Sequence, residues 1–172
     1  YMLGALLGRG GKAKVSLPGG CAWGPRPVDL HIQGMKALGA EIDLDRGYVI
    51  ATAPGGRLQG GRVRFEPSSV GATINVLLAA VLAKGESVLE NAAIEPEIID
   101  LVLFLQKLGA QIFVDTDRTI HIHGIQDFHE VEHWILPDRN EIASYAMAAI
   151  ATKGKVFIRG AQHQNLITFL NK

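Results

Sequence analysis

Apolar, alanine-rich stretches with helical spacing recur along the chain at Met2–Leu7, Val70–Ala83 and Ile142–Thr152. Each is followed by a short Gly-Lys/Glu-x-Val pattern, near Gly11 to Val15, Gly85 to Val88 and Gly154 to Val156. After the first two comes a second helical stretch closing on Leu-Gly-Ala, at Leu38-Gly39-Ala40 and Leu108-Gly109-Ala110, 70 residues apart. Glycine just past the last periodic leucine is a helix stop signal. Paired β-type stretches follow, Glu41–Leu44 with Tyr48–Thr52 and Gln111–Val114 with Thr119–His123. Polar turns, Asp45-Arg46-Gly47 and Asp115-Thr116-Asp117, join the members of each pair. The pattern predicts a helix–strand–turn–helix–strand–strand unit repeated every 70 residues or so, hence an α/β (α+β) fold.

The phase of the ends predicts a piece of a longer protein. Residue 1 is Tyr and opens inside a helical stretch, while 165–172 is where the second helix of a third unit is due. Pro137 and Asp138-x-x-Glu141 carry a helix N-terminal signal, with a carboxylate three residues past the cap. A further short strand is expected from Val131, Trp134, Ile135 and Leu136 running into Pro137.

With 48% hydrophobic and 20% charged residues the chain has the composition of a globular protein with a buried core. Seventeen basic residues balance 17 acidic ones, which argues against a nucleic-acid or anionic-membrane partner. The run Val76 to Ala83 is far shorter than the ~20 apolar residues of a membrane span. The single cysteine forms no internal disulfide, which suits a reducing, cytoplasmic setting.

That cysteine, Cys21, sits among Gly19, Gly20 and Gly24, with Arg26 five positions on. A lone cysteine is often an inert small hydrophobe. A glycine-rich loop with a nearby guanidinium instead suits a thiol that gives up or donates a proton. Arg26 between Pro25 and Pro27 is either a solvated loop charge or a rigid fork for phosphate or carboxylate. Ser68-Ser69-Val70-Gly71 precedes a helix, where a serine cap and an anion site on the free N–H groups are compatible readings. Trp23 in such a loop exposes apolar area unless the loop closes over a ligand, so a closing loop is expected.

His129-Glu130-Val131-Glu132-His133 matches H-E-x-x-H, but zinc-protease chemistry requires a helix and a further ligand, and neither is expected. His121 and His123 are expected to be solvated on one strand face, and Gly10-Gly11-Lys12 is a plain turn. No metal or cofactor is expected.

The string Pro18-Gly19-Gly20-Cys21-Ala22-Trp23-Gly24-Pro25-Arg26-Pro27-Val28-Asp29-Leu30-His31 resembles the cysteine loop of the UDP-N-acetylglucosamine enolpyruvyl transferases. Ser69-Val70-Gly71-Ala72-Thr73, Glu90-Asn91-Ala92-Ala93, Glu95-Pro96-Glu97 and Leu136-Pro137-Asp138-Arg139 agree in the family's order. The resemblance implies an inside-out α/β barrel of repeated units, shared with the shikimate-pathway relative, EPSP synthase. It implies that residues 1–134 are most of the domain carrying the cysteine loop, and 135–172 the start of the returning segment of the other.

It further implies transfer of the enolpyruvyl group of phosphoenolpyruvate to the 3-hydroxyl of UDP-N-acetylglucosamine. In that chemistry Cys21 donates a proton, forms a phosphoenolpyruvate adduct and is alkylated by fosfomycin; members with Asp there resist the drug. Arg26 holds phosphoenolpyruvate. The segment Arg26, Pro27, Val28, Asp29 and Leu30, together with Ser68, Ser69, Val70 and Gly71, binds the nucleotide sugar. One departure is Pro67, two residues before Ser69, where some members have lysine. The rest of the same enzyme is expected to complete the site. Alternatives are a noncatalytic nucleotide-sugar-binding module and EPSP synthase-type transfer, with a metalloprotease behind both.

Overall fold

The computed structural model describes residues 1–20, 22, 24 and 26–171. The chain divides into two compact units, Tyr1–Glu132 and His133–Lys172. The first unit runs α1 (Met2–Gly10), β1 (Lys12–Ser16), α2 (Asp29–Ala37), β2 (Glu41–Asp45), β3 (Tyr48–Thr52) and β4 (Arg62–Arg64). It continues with α3 (Val70–Ala80), β5 (Glu86–Glu90), α4 (Pro96–Lys107), β6 (Gln111–Val114) and β7 (Ile120–His123).

In the first unit the predicted repeat is present strand for strand. One sheet has the order β1-β3-β2 and the other β4-β5-β7-β6. In each, the first strand of the unit pairs antiparallel with the third, and the third with the second. Strand β4, unannounced by the repeat, adds in parallel to β5. Alternation places Val49 and Ala51 of β3, and Ile120 and Ile122 of β7, on the buried faces. The two Leu-Gly-Ala helix ends are also built alike. Gly39 and Gly109 take positive φ of 84° and 102°. Ala40 and Ala110 then donate back to Met35 and Leu105 at 3.0 and 2.9 Å, satisfying helix-end carbonyls.

Helix α3 is apolar around almost its whole circumference, and such a helix belongs inside. Ala72, Val76, Leu77, Ala79 and Ala80 are wholly shielded from solvent. Its buried polar side chains are paired: Asn75 Oδ1 accepts the Gly4 N–H at 2.7 Å, and Thr73 Oγ1 accepts the Ala93 N–H at 3.0 Å. Helix α1 approaches through Gly4 and Gly8, whose missing side chains would otherwise meet the Asn75 and Ala79 backbone. At the other end, the Arg57 guanidinium donates to the Leu82, Ala83 and Ile125 carbonyls at 2.7, 3.2 and 2.8 Å. A cation there offsets the negative end of α3.

The second unit contains α5 (Arg139–Ala151) and α6 (His163–Leu170). Asp138 caps α5 as its sequence pattern predicts, accepting from the Asn140 and Glu141 N–H groups at 2.8 and 3.4 Å. Two expected strands do not form. Neither the stretch 131–136 nor the segment after Gly154 is a strand. A strand needs a neighbour for its backbone groups, and no described strand pairs with either segment. His129 to His133 lies outside any helix, so it lacks the backbone that H-E-x-x-H chemistry requires. His121 departs from its expected solvation: its Nδ1 lies 3.4 Å from Glu86 and its Nε2 3.2 Å from Asp115. Cross-strand pairing places both carboxylates beside the ring. Among the described residues no helix is long and apolar enough to cross a membrane.

Replacing Gly4 by alanine drives a methyl group into the Asn75 backbone carbonyl. Denaturant unfolding of Gly4→Ala is expected to show a loss of about 2 kcal/mol; an unchanged midpoint would contradict the close α1–α3 approach.

Candidate functional site

Arg26 lies between β1 and α2, which begins at Asp29. Cys21 and Trp23, and with them the expected thiol chemistry and loop closure, lie outside the described residues. Arg26, Pro27 and Val28 form one wall of a cavity of about 360 Å³. Tyr1 and Leu3, Val15 and Ser16, His31, and Gly71 and Asn75 supply the rest of its lining, with Pro18, Ile32 and Val49. The structure therefore joins the two sequence-distant segments singled out above, the Arg-Pro-Val run and the start of α3, around one space.

The remaining candidates divide by position. Asp29 is exposed in the first turn of α2, where a carboxylate suits the helix dipole. Leu30 and Val70 pack against the core. Ser69 caps α3, its Oγ accepting the Ala72 N–H at 3.3 Å. Ser68 faces elsewhere, into a second cavity of about 540 Å³ lined also by Ile94, Glu95 and Arg118. There one Glu95 carboxylate oxygen is buried without a hydrogen-bond partner among the described residues. Arg118 donates through Nε to the Ala92 carbonyl at 3.1 Å.

His31 and Asn75 were not among the residues the sequence marks as binding, yet both line the first cavity. Asn75 Nδ2 lies 2.9 Å from His31 Nδ1. The available signal was Asn75 itself, an amide on an otherwise apolar helix, because a buried amide requires partners. Burial pushes the His31 imidazole below its ordinary value, and Asp29 opposes this. Among the described residues no cluster of three or more His, Cys, Asp or Glu side chains is arranged to hold a metal ion.

Two repeated α/β units of this topology define the enolpyruvyl-transferase class of fold. The enolpyruvyl transferase NikO from Streptomyces tendae superposes with a TM-score of 0.72 over 87% of this chain and 35% of its own, at 26% identity. EPSP synthase from Acinetobacter baumannii shares the fold, with a TM-score of 0.62 over 84% of this chain and 33% of its own, at 19% identity. The family model for EPSP synthase (3-phosphoshikimate 1-carboxyvinyltransferase) matches residues 1–171, and the chain belongs to that family. Within it, the chain is 54% identical to a UDP-N-acetylglucosamine 1-carboxyvinyltransferase of Protochlamydia amoebophila over 99% of its length. It is also 54% identical to the same-named protein of Rhodospirillum centenum, over 96% of its length. It spans 38% of either relative.

Because the folded-state value for His31 lies below 6.5, the unfolded chain binds the proton first as pH falls. The stability contributed by neutral His31 is complete above pH 6.5 and is lost as pH drops below it. An NMR titration should place the His31 midpoint below 6.5; a midpoint at or above that value would contradict the buried setting.

Proposed function

We propose that the full-length protein transfers the enolpyruvyl group of phosphoenolpyruvate to the 3-hydroxyl of UDP-N-acetylglucosamine, releasing phosphate. The carrying observation is the cavity shared by the Arg26-Pro27-Val28 wall and the Gly71 end of α3. The identity of 54% to relatives bearing that activity in their names supports the choice of acceptor sugar over shikimate phosphate. In this reading the sugar hydroxyl attacks the enol carbon while a proton reaches the methylene carbon. Loss of a proton from that carbon and departure of phosphate then restore the vinyl group.

Cys21 serves as proton donor and adduct-forming thiol, a role that suits a group whose pKa is tuned near the working pH. Arg26 holds the anionic groups with its fork of donors. Pro27, Val28, Asp29 and Leu30 shape the nucleotide-sugar side. Ser68, Ser69, Val70 and Gly71 bring the N-terminal end of α3 to the diphosphate. With Pro67 in place of a lysine, backbone donors carry more of that contact. The rest of the same protein completes the site, and the reaction belongs to the cytoplasm. It is the first committed step of peptidoglycan synthesis, on which cell shape and division depend.

Phosphate release by the full-length protein should require both substrates, and Arg26→Ala should lower kcat/KM by about 100-fold. Nucleotide-sugar binding with no phosphate release would instead mark a noncatalytic module. Fosfomycin treatment should leave one adduct, mapped by mass spectrometry to Cys21; Cys21→Asp should abolish it.

A further inference from the structure

Asn75 is 2% exposed, and both ends of its amide are engaged. Its Oδ1 accepts the backbone N–H of Gly4, which has nothing to offer but a donor. That fixes the amide orientation and leaves Nδ2 toward His31 Nδ1, 2.9 Å away. An amide nitrogen donates and does not accept, so His31 Nδ1 is the acceptor of this bond. A neutral imidazole with an acceptor at Nδ1 carries its proton at Nε2. That nitrogen lies 3.5 Å from where a side chain on Gly71 would begin, on the lining of the same cavity. Among the described residues no acceptor is bonded to it.

We propose that Asn75 holds His31 as the Nε2–H tautomer, so that His31 offers a neutral hydrogen-bond donor to an oxygen of the nucleotide bound in this cavity. His31 is then a binding residue and Asn75 a positioning residue. The inference rests on the functional reading above. Gly71 places the start of α3 beside the imidazole edge, since a Cβ there would be in ordinary contact with it at 3.4 Å. The downward shift of the imidazole by burial agrees, because it keeps the ring neutral near pH 7. The charged side chain acting on the ring is Asp29, and Arg26 lines the same space. Arg26 thus supplies charge for the ligand, and His31 supplies direction without a second charge.

The test is a long-range nitrogen–proton correlation spectrum of the full-length protein labelled at histidine, with the His31 signal assigned by its loss in His31→Gln. The expected pattern has a bare Nδ1 and a protonated Nε2. Asn75→Asp keeps an acceptor for Gly4 but sets a second acceptor opposite Nδ1, and should move the proton there. At a pH where the imidazole is neutral, this variant should bind UDP about tenfold more weakly. A matched loss with uridine places the accepting oxygen on the nucleoside, and a loss confined to UDP places it on the diphosphate.

If Asn75→Asp does not fold, His31→Leu should show the same tenfold loss, and His31→Gln, which keeps a donor near the Nε2 position, should restore part of it. A wild-type His31 protonated at Nδ1 with normal UDP binding overturns this inference alone. So does a reversed tautomer with unchanged affinity for both probes, or an unchanged affinity in His31→Leu. Failure of the wild-type protein to bind UDP or UDP-N-acetylglucosamine overturns the functional reading and the ligand half of this one, while the tautomer still reports on Asn75.

Discussion

A helix that is apolar on all sides persists in water only when every side is covered, and α3 imposes that condition on the first unit. Covering it demands helices that come close from more than one direction. Glycines set how close: Gly4 and Gly8 let α1 approach the α3 backbone, and Gly34 lets α2 accept Val76. Close packing of this kind leaves little freedom to slide, because interiors are filled to near-crystalline density. The start of α3 is consequently held at one place, with Ser69 closing its first turn.

The cavity follows from that fixed position. Helix α2, anchored beside α3, carries the Arg26-Pro27-Val28 segment on its leading end. The same packing forces Asn75 to find partners for a buried amide, and it finds Gly4 on one side and His31 on the other. One polar side chain on the buried helix thus connects core packing to the lining of the site. A buried amide with both ends satisfied also specifies which way a neighbouring ring must be protonated.

The second unit has less to hold it by itself. Ile142 and Leu166 are the buried residues of α5 and α6, while Trp134 and Phe157 are 92% and 87% exposed. Segments that read as strands from their side chains remain irregular there, since backbone pairing is a property of neighbours and not of one stretch alone.

Local information determined much of the first unit. Helical periodicity, the Leu-Gly-Ala stops and the polar turns specify elements through contacts within a few residues, so α1, α2, α3, α4 and both hairpins were legible, as was the Asp138 cap. The run Arg26-Pro27-Val28, singled out in the sequence, lines one wall of the cavity. Strand β4, the Arg57 clamp, the carboxylates beside His121 and the His31–Asn75–Gly4 chain depend on residues distant in sequence and brought together only by packing. Ser68 and Gly71 make the contrast within a single run. They are three positions apart, yet the turn into α3 sends one to each of two different cavities. A sequence sets what each residue is able to do, whereas the covering of α3 decided which residues meet.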